Sequence, residues 1–140
     1  IQDHADRRTD MKNIIKDILF GVVIFVIVLL FEFIVTLPFS EIASESDRAR
    51  WAFLINRELL LAALPAALTT CTLTWLLKTK NRKEAIRRGV IWTGILTLYF
   101  VLISIANGTA DLMFGSIGVY LLLACAFAGP MVYAAFKHLP

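Results

Sequence analysis

Residues 18–37 read ILFGVVIFVIVLLFEFIVTL, and 17 of these 20 residues are Leu, Ile, Val or Phe. At about 1.5 Å of rise per residue, a helix of this length crosses the roughly 30 Å hydrocarbon core of a bilayer. The alternative is a secretory signal peptide, whose apolar region is about 7–15 residues long and ends at a small-residue cleavage site. This run is longer and is followed by Pro38-Phe39-Ser40. The stretch therefore predicts a retained transmembrane helix.

Three further apolar runs follow, and they predict spans at about residues 53–77, 89–106 and 112–136. The whole chain is 59% hydrophobic and 18% charged, whereas soluble domains average about 45–50% and about 25%. Within lipid, only a helix satisfies its backbone hydrogen bonds inside a single segment. We therefore predict an all-α fold, a four-helix transmembrane bundle over residues 18–140.

The polar residues 1–17 are expected to form a cytoplasmic N-terminal tail. If Met11 is the natural start, residues 1–10 are a non-native leader. The tail, the connection at residues 78–88 and the C-terminus together hold 11 of the 14 Lys and Arg residues. Positive charge is retained in the cytoplasm, so both termini are predicted to be cytoplasmic. The composition favours a plasma membrane, such as a bacterial inner or cell membrane.

Glu32 is the one charged residue within the first span. A charged side chain at a helix centre costs about 2.5–3.5 kcal/mol on insertion, so such a residue is expected to face the bundle and to have a partner. We expect it on the face that carries Phe25, Val28 and Thr36. Three interpretations remain open: a structural pair with Arg57, a proton or cation site, and a carboxylate that reaches out to water.

A polar layer is predicted at the outer membrane edge around Glu32. Asn56, Arg57 and Glu58 enter it from the second span, and Asn107 and Asp111 enter it from the turn between the third and fourth spans. The candidate ligand or ion site consists of Glu32, Arg57, Glu58 and Asn56. The alternative explains these residues separately, since Asn-Gly is a turn signal and an acid is favoured at a helix start.

The connection between the second and third spans carries a basic cluster. It determines topology, and it is also a candidate contact for anionic lipid headgroups, because each basic residue near the membrane surface contributes about 1 kcal/mol. The cluster consists of Lys78, Lys80, Arg82, Lys83, Arg87 and Arg88. These cations lie where topology requires them, so no nucleic-acid partner is expected.

Small residues mark faces for close helix packing on the second and fourth spans. They are Ala62, Ala63, Ala66 and Ala67, and then Gly115, Gly118, Cys125 and Gly129. No pair of nucleophile and base, metal-ligand set or cofactor motif is recognisable in the sequence. We therefore predict a non-enzymatic accessory or interaction subunit, as a homo-oligomer or with a membrane protein partner. The alternative is a small transporter or channel that uses Glu32 as a proton or cation site.

Overall fold

The computed structural model describes the backbone of residues 2–36 and 48–140, and the side chains of residues 9–35 and 48–140. All five elements in these ranges are helices. They are α1 (Gln2–Thr36), α2 (Arg48–Leu76), α3 (Arg82–Ala106), α4 (Ala110–Phe114) and α5 (Ile117–Phe136). Four of them, α1, α2, α3 and α5, are long and apolar enough to cross a membrane. The prediction of an all-helical chain with four such helices is confirmed.

The helices α1 and α3 both begin well before the apolar runs that predicted them. The polar residues from Gln2 onward belong to α1. Asn81 caps α3: its Oδ1 accepts a hydrogen bond from the Glu84 backbone N–H at 2.8 Å, and a Glu84 carboxylate oxygen accepts one from the Lys80 N–H at 3.0 Å. These bonds satisfy backbone donors at the helix start, so the basic residues 82–88 form helical turns and not a loop.

The fourth predicted span is divided into two helices. The short helix α4 ends at Phe114, and α5 begins at Ile117 after Gly115 and Ser116. Ser116 has extended backbone angles, and its hydroxyl accepts a long hydrogen bond from the Val119 N–H at 3.4 Å. An N-cap residue of this kind starts a new helix. Asp111 therefore lies on α4, outside the spanning helix.

The four long helices are arranged in the order α1, α2, α5, α3 around the bundle. The most extensive contact joins α2 to α5, followed by α3 to α5, α1 to α2 and α1 to α3. The consecutive helices α2 and α3 barely touch and lie diagonally. We call the end with residues 77–81 and the C-terminus the basic end, and the end with residues 107–116 the turn end.

The centre of the bundle is closely packed. Large side chains with almost no exposed surface fill it, among them Trp92, Phe100, Leu96, Leu122 and Ile24. The predicted small-residue faces of α2 and α5 meet. A methyl group added at Gly129 would come within 2.8 Å of the Ala67 carbonyl oxygen, and one at Gly118 within 2.7 Å of the Asn56 carbonyl oxygen. Two helices this close leave no room for larger residues.

Candidate functional site

One face of α1 carries two acids, Asp17 and Glu32, that approach the other helices. Asp17, Gly21, Ile24 and Val28 are buried and recur at intervals of four, three and four residues. This spacing keeps them on one side of a helix. Glu32 continues the same face at the turn end, where it is half-buried and its Oε1 atom is shielded from solvent.

Glu32 lies within electrostatic range of ionisable groups on two other helices. Glu32 interacts electrostatically with Glu58 of α2 and with Tyr99 of α3. Tyr99 was not among the predicted site residues. Its ring meets that of Phe25 edge-on, with centroids 4.7 Å apart. A tyrosine within an apolar run combines a packing ring with a polar hydroxyl, and that signal was present in the sequence.

The other two predicted members of this site differ from each other, since Arg57 interacts electrostatically with Glu58 and Asn56 faces another helix. Arg57 is half-buried, with its Nε and Nη2 atoms shielded from solvent. The pairing of Glu32 with Arg57 stays a prediction. Asn56 faces α5, where its Oδ1 accepts a hydrogen bond from the Gly118 N–H at 2.8 Å. Asn56 thus joins α2 to the start of α5.

A second polar region at the turn end lies between α2 and the start of α5. It is a cavity of about 310 Å³ whose lining includes Phe53, Asn56, Asp111 and Ser116. Arg48 forms an exposed salt bridge of 2.5 Å with Asp111 beside it. The hydrogen bond from Arg48 lowers the pKa of the Asp111 carboxyl. The predicted outer layer is therefore divided, with Glu32 and Glu58 in one part and Asn56 and Asp111 in the other.

The basic end contains a buried polar network that the sequence did not predict. One Asp17 carboxylate oxygen accepts a hydrogen bond of 2.9 Å from the Arg88 Nε, and the other accepts one of 3.0 Å from the Arg87 Nε. The Asp17 side chain is only 1% exposed, and that of Arg88 8%. A single buried carboxylate thus joins α1 to two arginines of α3.

Three further hydrogen bonds extend this network, and two of them are accepted by backbone carbonyl oxygens. The Trp92 indole N–H donates to the Asp17 carbonyl oxygen at 2.8 Å. Arg88 also donates to the hydroxyl of Thr79, which donates in turn to the Thr74 carbonyl oxygen at 2.9 Å. We call Asp17, Thr79, Arg87, Arg88 and Trp92 the Asp17 network. It ties α1, α3 and the α2–α3 connection together.

This network changes which basic residues are available for lipid. Arg88 is buried inside it, and Arg87 is partly enclosed with a side chain 29% exposed. The other four members of the predicted basic cluster are exposed, namely Lys78, Lys80, Arg82 and Lys83. Of the six cations, Arg88 is therefore structural, Arg87 is partly enclosed in the network and partly exposed, and the other four lie on the surface.

Over the described ranges, no group of three or more His, Cys, Asp or Glu side chains lies close enough together to hold a metal ion. Comparison with protein-family models finds no matching family, and comparisons with curated proteins and with solved structures find no match either. The function is therefore inferred from the chain's own residues and their geometry.

Proposed function

We propose that the protein is a multi-pass membrane protein with four spans and both termini in the cytoplasm, in a plasma membrane. The four long apolar helices support insertion, because their exposed surfaces are mostly Leu, Ile, Val and Phe. The distribution of charge supports the orientation, since 11 of the 14 Lys and Arg residues belong to segments at the basic end. In this orientation the basic end faces the cytoplasm.

We further propose that it acts as a non-enzymatic accessory or interaction subunit. The observation that carries this proposal is the filled centre of the bundle, where Trp92, Leu96 and Phe100 occupy the space that a transport path would need. Two buried hydroxyls of α2 bond to their own helix: Thr70 donates to the Ala66 carbonyl oxygen at 3.0 Å and Thr74 to that of Thr70 at 2.6 Å. Such bonds stabilise packing and do not present a polar lining.

The helix α1 is the surface that we assign to a partner. In its most apolar 18-residue window 17% of the residues are buried, compared with 39% in α2. It is the least enclosed of the four candidate spans. The partner is a second copy of this chain or another membrane-spanning protein, which would cover the exposed side chains of α1 such as Val26 and Leu30.

Site-specific photocrosslinking in the native membrane tests this assignment. A benzophenone amino acid at Val26 should give a protein adduct, because Val26 is exposed on α1. The matched control is Leu64, which is exposed on α2 and should crosslink mainly to lipid. A second copy with a different tag identifies self-association. Lipid adducts alone at both positions, together with a functional monomer in mild detergent, would reject the interaction role.

A second candidate function is a small transporter or channel that uses Glu32. The approach of Glu32, Glu58 and Tyr99 favours it, because ionisable residues within a span mark proton or ion sites in many transporters. The test is proton flux into liposomes containing the wild type, Glu32→Gln, or the control Lys137→Ala, which changes an exposed residue beyond the last span. Flux lost only in Glu32→Gln supports transport. Equal flux in all three proteins would contradict the transport function, because no other residue supports it.

A further inference from the structure

A groove of about 520 Å³ opens at the basic end between α1 and α3. Asp10 and Ile14 line it from α1, and Lys83, Glu84 and Arg87 line it from α3. Its volume lies within the range of about 300–1,000 Å³ that is usual for small-molecule sites. The groove is separate from the Glu32 region, which lies toward the other end of α1.

Both signs of charge meet in this groove. Asp10 and Glu84 supply two carboxylates, while Lys83 and Arg87 supply two cations. A purely anionic ligand would meet the carboxylates, and a purely cationic one would meet Lys83 and Arg87. Opposite charges about 4 Å apart near a protein surface attract each other strongly, and like charges repel as strongly. The lining is therefore complementary to a zwitterion that carries an anionic and an ammonium group.

Two of the charged groups on the α3 side, Arg87 and Glu84, are held in place before any ligand arrives. The Nε and Nη2 atoms of Arg87 both lie 3.0 Å from the same Asp17 carboxylate oxygen, and its Nη1 takes no part in these contacts. The Glu84 carboxylate is held by the Lys80 N–H at 3.0 Å. Groups oriented in advance lose less conformational entropy when a ligand binds.

The groove also has an apolar part, and its position suits the edge of a membrane. Ile14 and Ile86 line it and are exposed. The uncharged run of α3 begins at Gly89, one turn beyond Ile86. Cations beside apolar surface at the end of a spanning helix match the boundary between headgroups and acyl chains. A zwitterion without an apolar group would gain nothing from Ile14 and Ile86.

We propose that this groove binds the headgroup of an aminophospholipid from the adjacent leaflet. The phosphate contacts Lys83 and Arg87, the ammonium contacts Asp10 and Glu84, and the glycerol and upper acyl chains lie against Ile14 and Ile86. This inference rests on the proposed insertion of the bundle into a membrane. It is independent of whether α1 has a protein partner.

Native mass spectrometry of the delipidated full chain in detergent tests the proposal. The protein is mixed with equimolar phosphatidylethanolamine, phosphatidylcholine and phosphatidylglycerol. Phosphatidylethanolamine should bind best, because the trimethylated amine of phosphatidylcholine has no N–H donor and phosphatidylglycerol has no ammonium group. Asp10→Asn should reduce the preference for phosphatidylethanolamine over phosphatidylglycerol about five-fold, and Lys83→Ala should weaken both lipids about five-fold.

The matched control is Lys137→Ala, which removes an exposed cation of the basic end that belongs neither to the groove lining nor to the predicted basic cluster and should leave binding unchanged. Three results would overturn the proposal. The first is preferential binding of phosphatidylglycerol, and the second is an unchanged lipid preference in Asp10→Asn. The third is displacement of bound phosphatidylethanolamine by soluble phosphoethanolamine as effectively as by phosphatidylethanolamine itself. Because the assay requires no partner, it can fail while the crosslinking at Val26 succeeds, and the reverse is also true.

Discussion

Asp17 links α1 to α3 through both its side chain and its backbone. Its side chain is 1% exposed and contacts two guanidinium groups, while its backbone carbonyl accepts the Trp92 indole N–H. A buried ion pair is weak evidence for net stability, since desolvation offsets the attraction. Removal of one partner is different, because the remaining charge then stays buried without compensation.

We expect Asp17→Asn to destabilise the protein by about 3 kcal/mol, because Arg88 would remain buried beside a neutral amide. Reversible unfolding in mixed micelles measures the difference. The matched control is Asp10→Asn in lipid-free detergent, which changes an exposed acid on the same helix and should have little effect. A loss below about 0.5 kcal/mol for Asp17→Asn, the range of ordinary surface changes, would contradict the buried pairing.

The pair of Asp111 and Arg48 gives a pH-dependent prediction. The Arg48 hydrogen bond lowers the pKa of Asp111 below its usual value of 3.8. A carboxyl of lowered pKa stabilises the fold above its unfolded pKa, and this contribution is lost as pH falls through the folded value. Arg48→Ala should raise the pKa of Asp111 toward 3.8, as followed by carboxyl NMR titration in micelles. An unchanged titration would mean that the salt bridge does not form.

At the residue scale, Glu32 was predicted from the sequence as a site residue, whereas the buried role of Asp17 was not predicted. Glu32 stands out because it interrupts an apolar run, whereas Asp17 immediately precedes that run. The burial of Asp17 depends on how α1 packs against α3, which hydropathy does not specify. The sequence does show that the spacing of Asp17, Gly21 and Ile24 puts them on one face of a helix. The choice of Arg87 and Arg88 as partners was not.

At the scale of helices, the close contact of α2 and α5 depends on glycine. A methyl group at Gly129 would lie 1.9 Å from the Thr70 hydroxyl oxygen and 2.9 Å from the Cys71 backbone nitrogen. We expect Gly129→Ala to destabilise the bundle by about 1–3 kcal/mol, because the two helices must separate. The measurement is again unfolding in micelles.

Gly94 provides the matched control for this prediction. It lies within α3, is exposed, and has nothing within 4 Å of an added methyl group. Gly94→Ala should be neutral or stabilising, since alanine favours helix more than glycine does. Equal losses in both variants would show that the effect comes from helix propensity in micelles and not from the α2–α5 contact.

The helix boundaries show which local signals hydropathy overlooks. The apolar runs predicted where the long helices lie, because a spanning helix must be long and uncharged. The early start of α3 and the break before α5 depend on caps at Asn81 and Ser116. The spacing of Asn81 and Glu84 resembles a capping box and was available in the sequence. The break was harder to predict, since Gly115 was assigned to a small-residue face of the fourth span.

At the scale of the whole molecule, the order of the helices could not be inferred from connection lengths. The turn at residues 107–109 is short, and α3 and α5 are neighbours. The connection at residues 77–81 is also short, yet α2 and α3 lie diagonally. The close approach of α5 to α2 at Gly118 and Gly129 explains this arrangement, because α5 takes the place beside α2 that α3 would otherwise occupy.

The orientation of the whole bundle is tested by cysteine labelling in intact cells. In a background where Cys71 and Cys125 are replaced by Ala, Lys80→Cys places a thiol at the basic end and Asn107→Cys places one at the turn end, both at exposed positions. A membrane-impermeant maleimide should label Asn107→Cys at once and Lys80→Cys only after permeabilisation. The reason is that moving the 11 cations at the basic end across the membrane would oppose the retention of positive charge in the cytoplasm. Labelling of Lys80→Cys but not Asn107→Cys in intact cells would show that the topology is the reverse of the proposed one, with the aminophospholipid groove in the outer leaflet. Labelling of both sites in intact cells would mean that the chain inserts in two orientations.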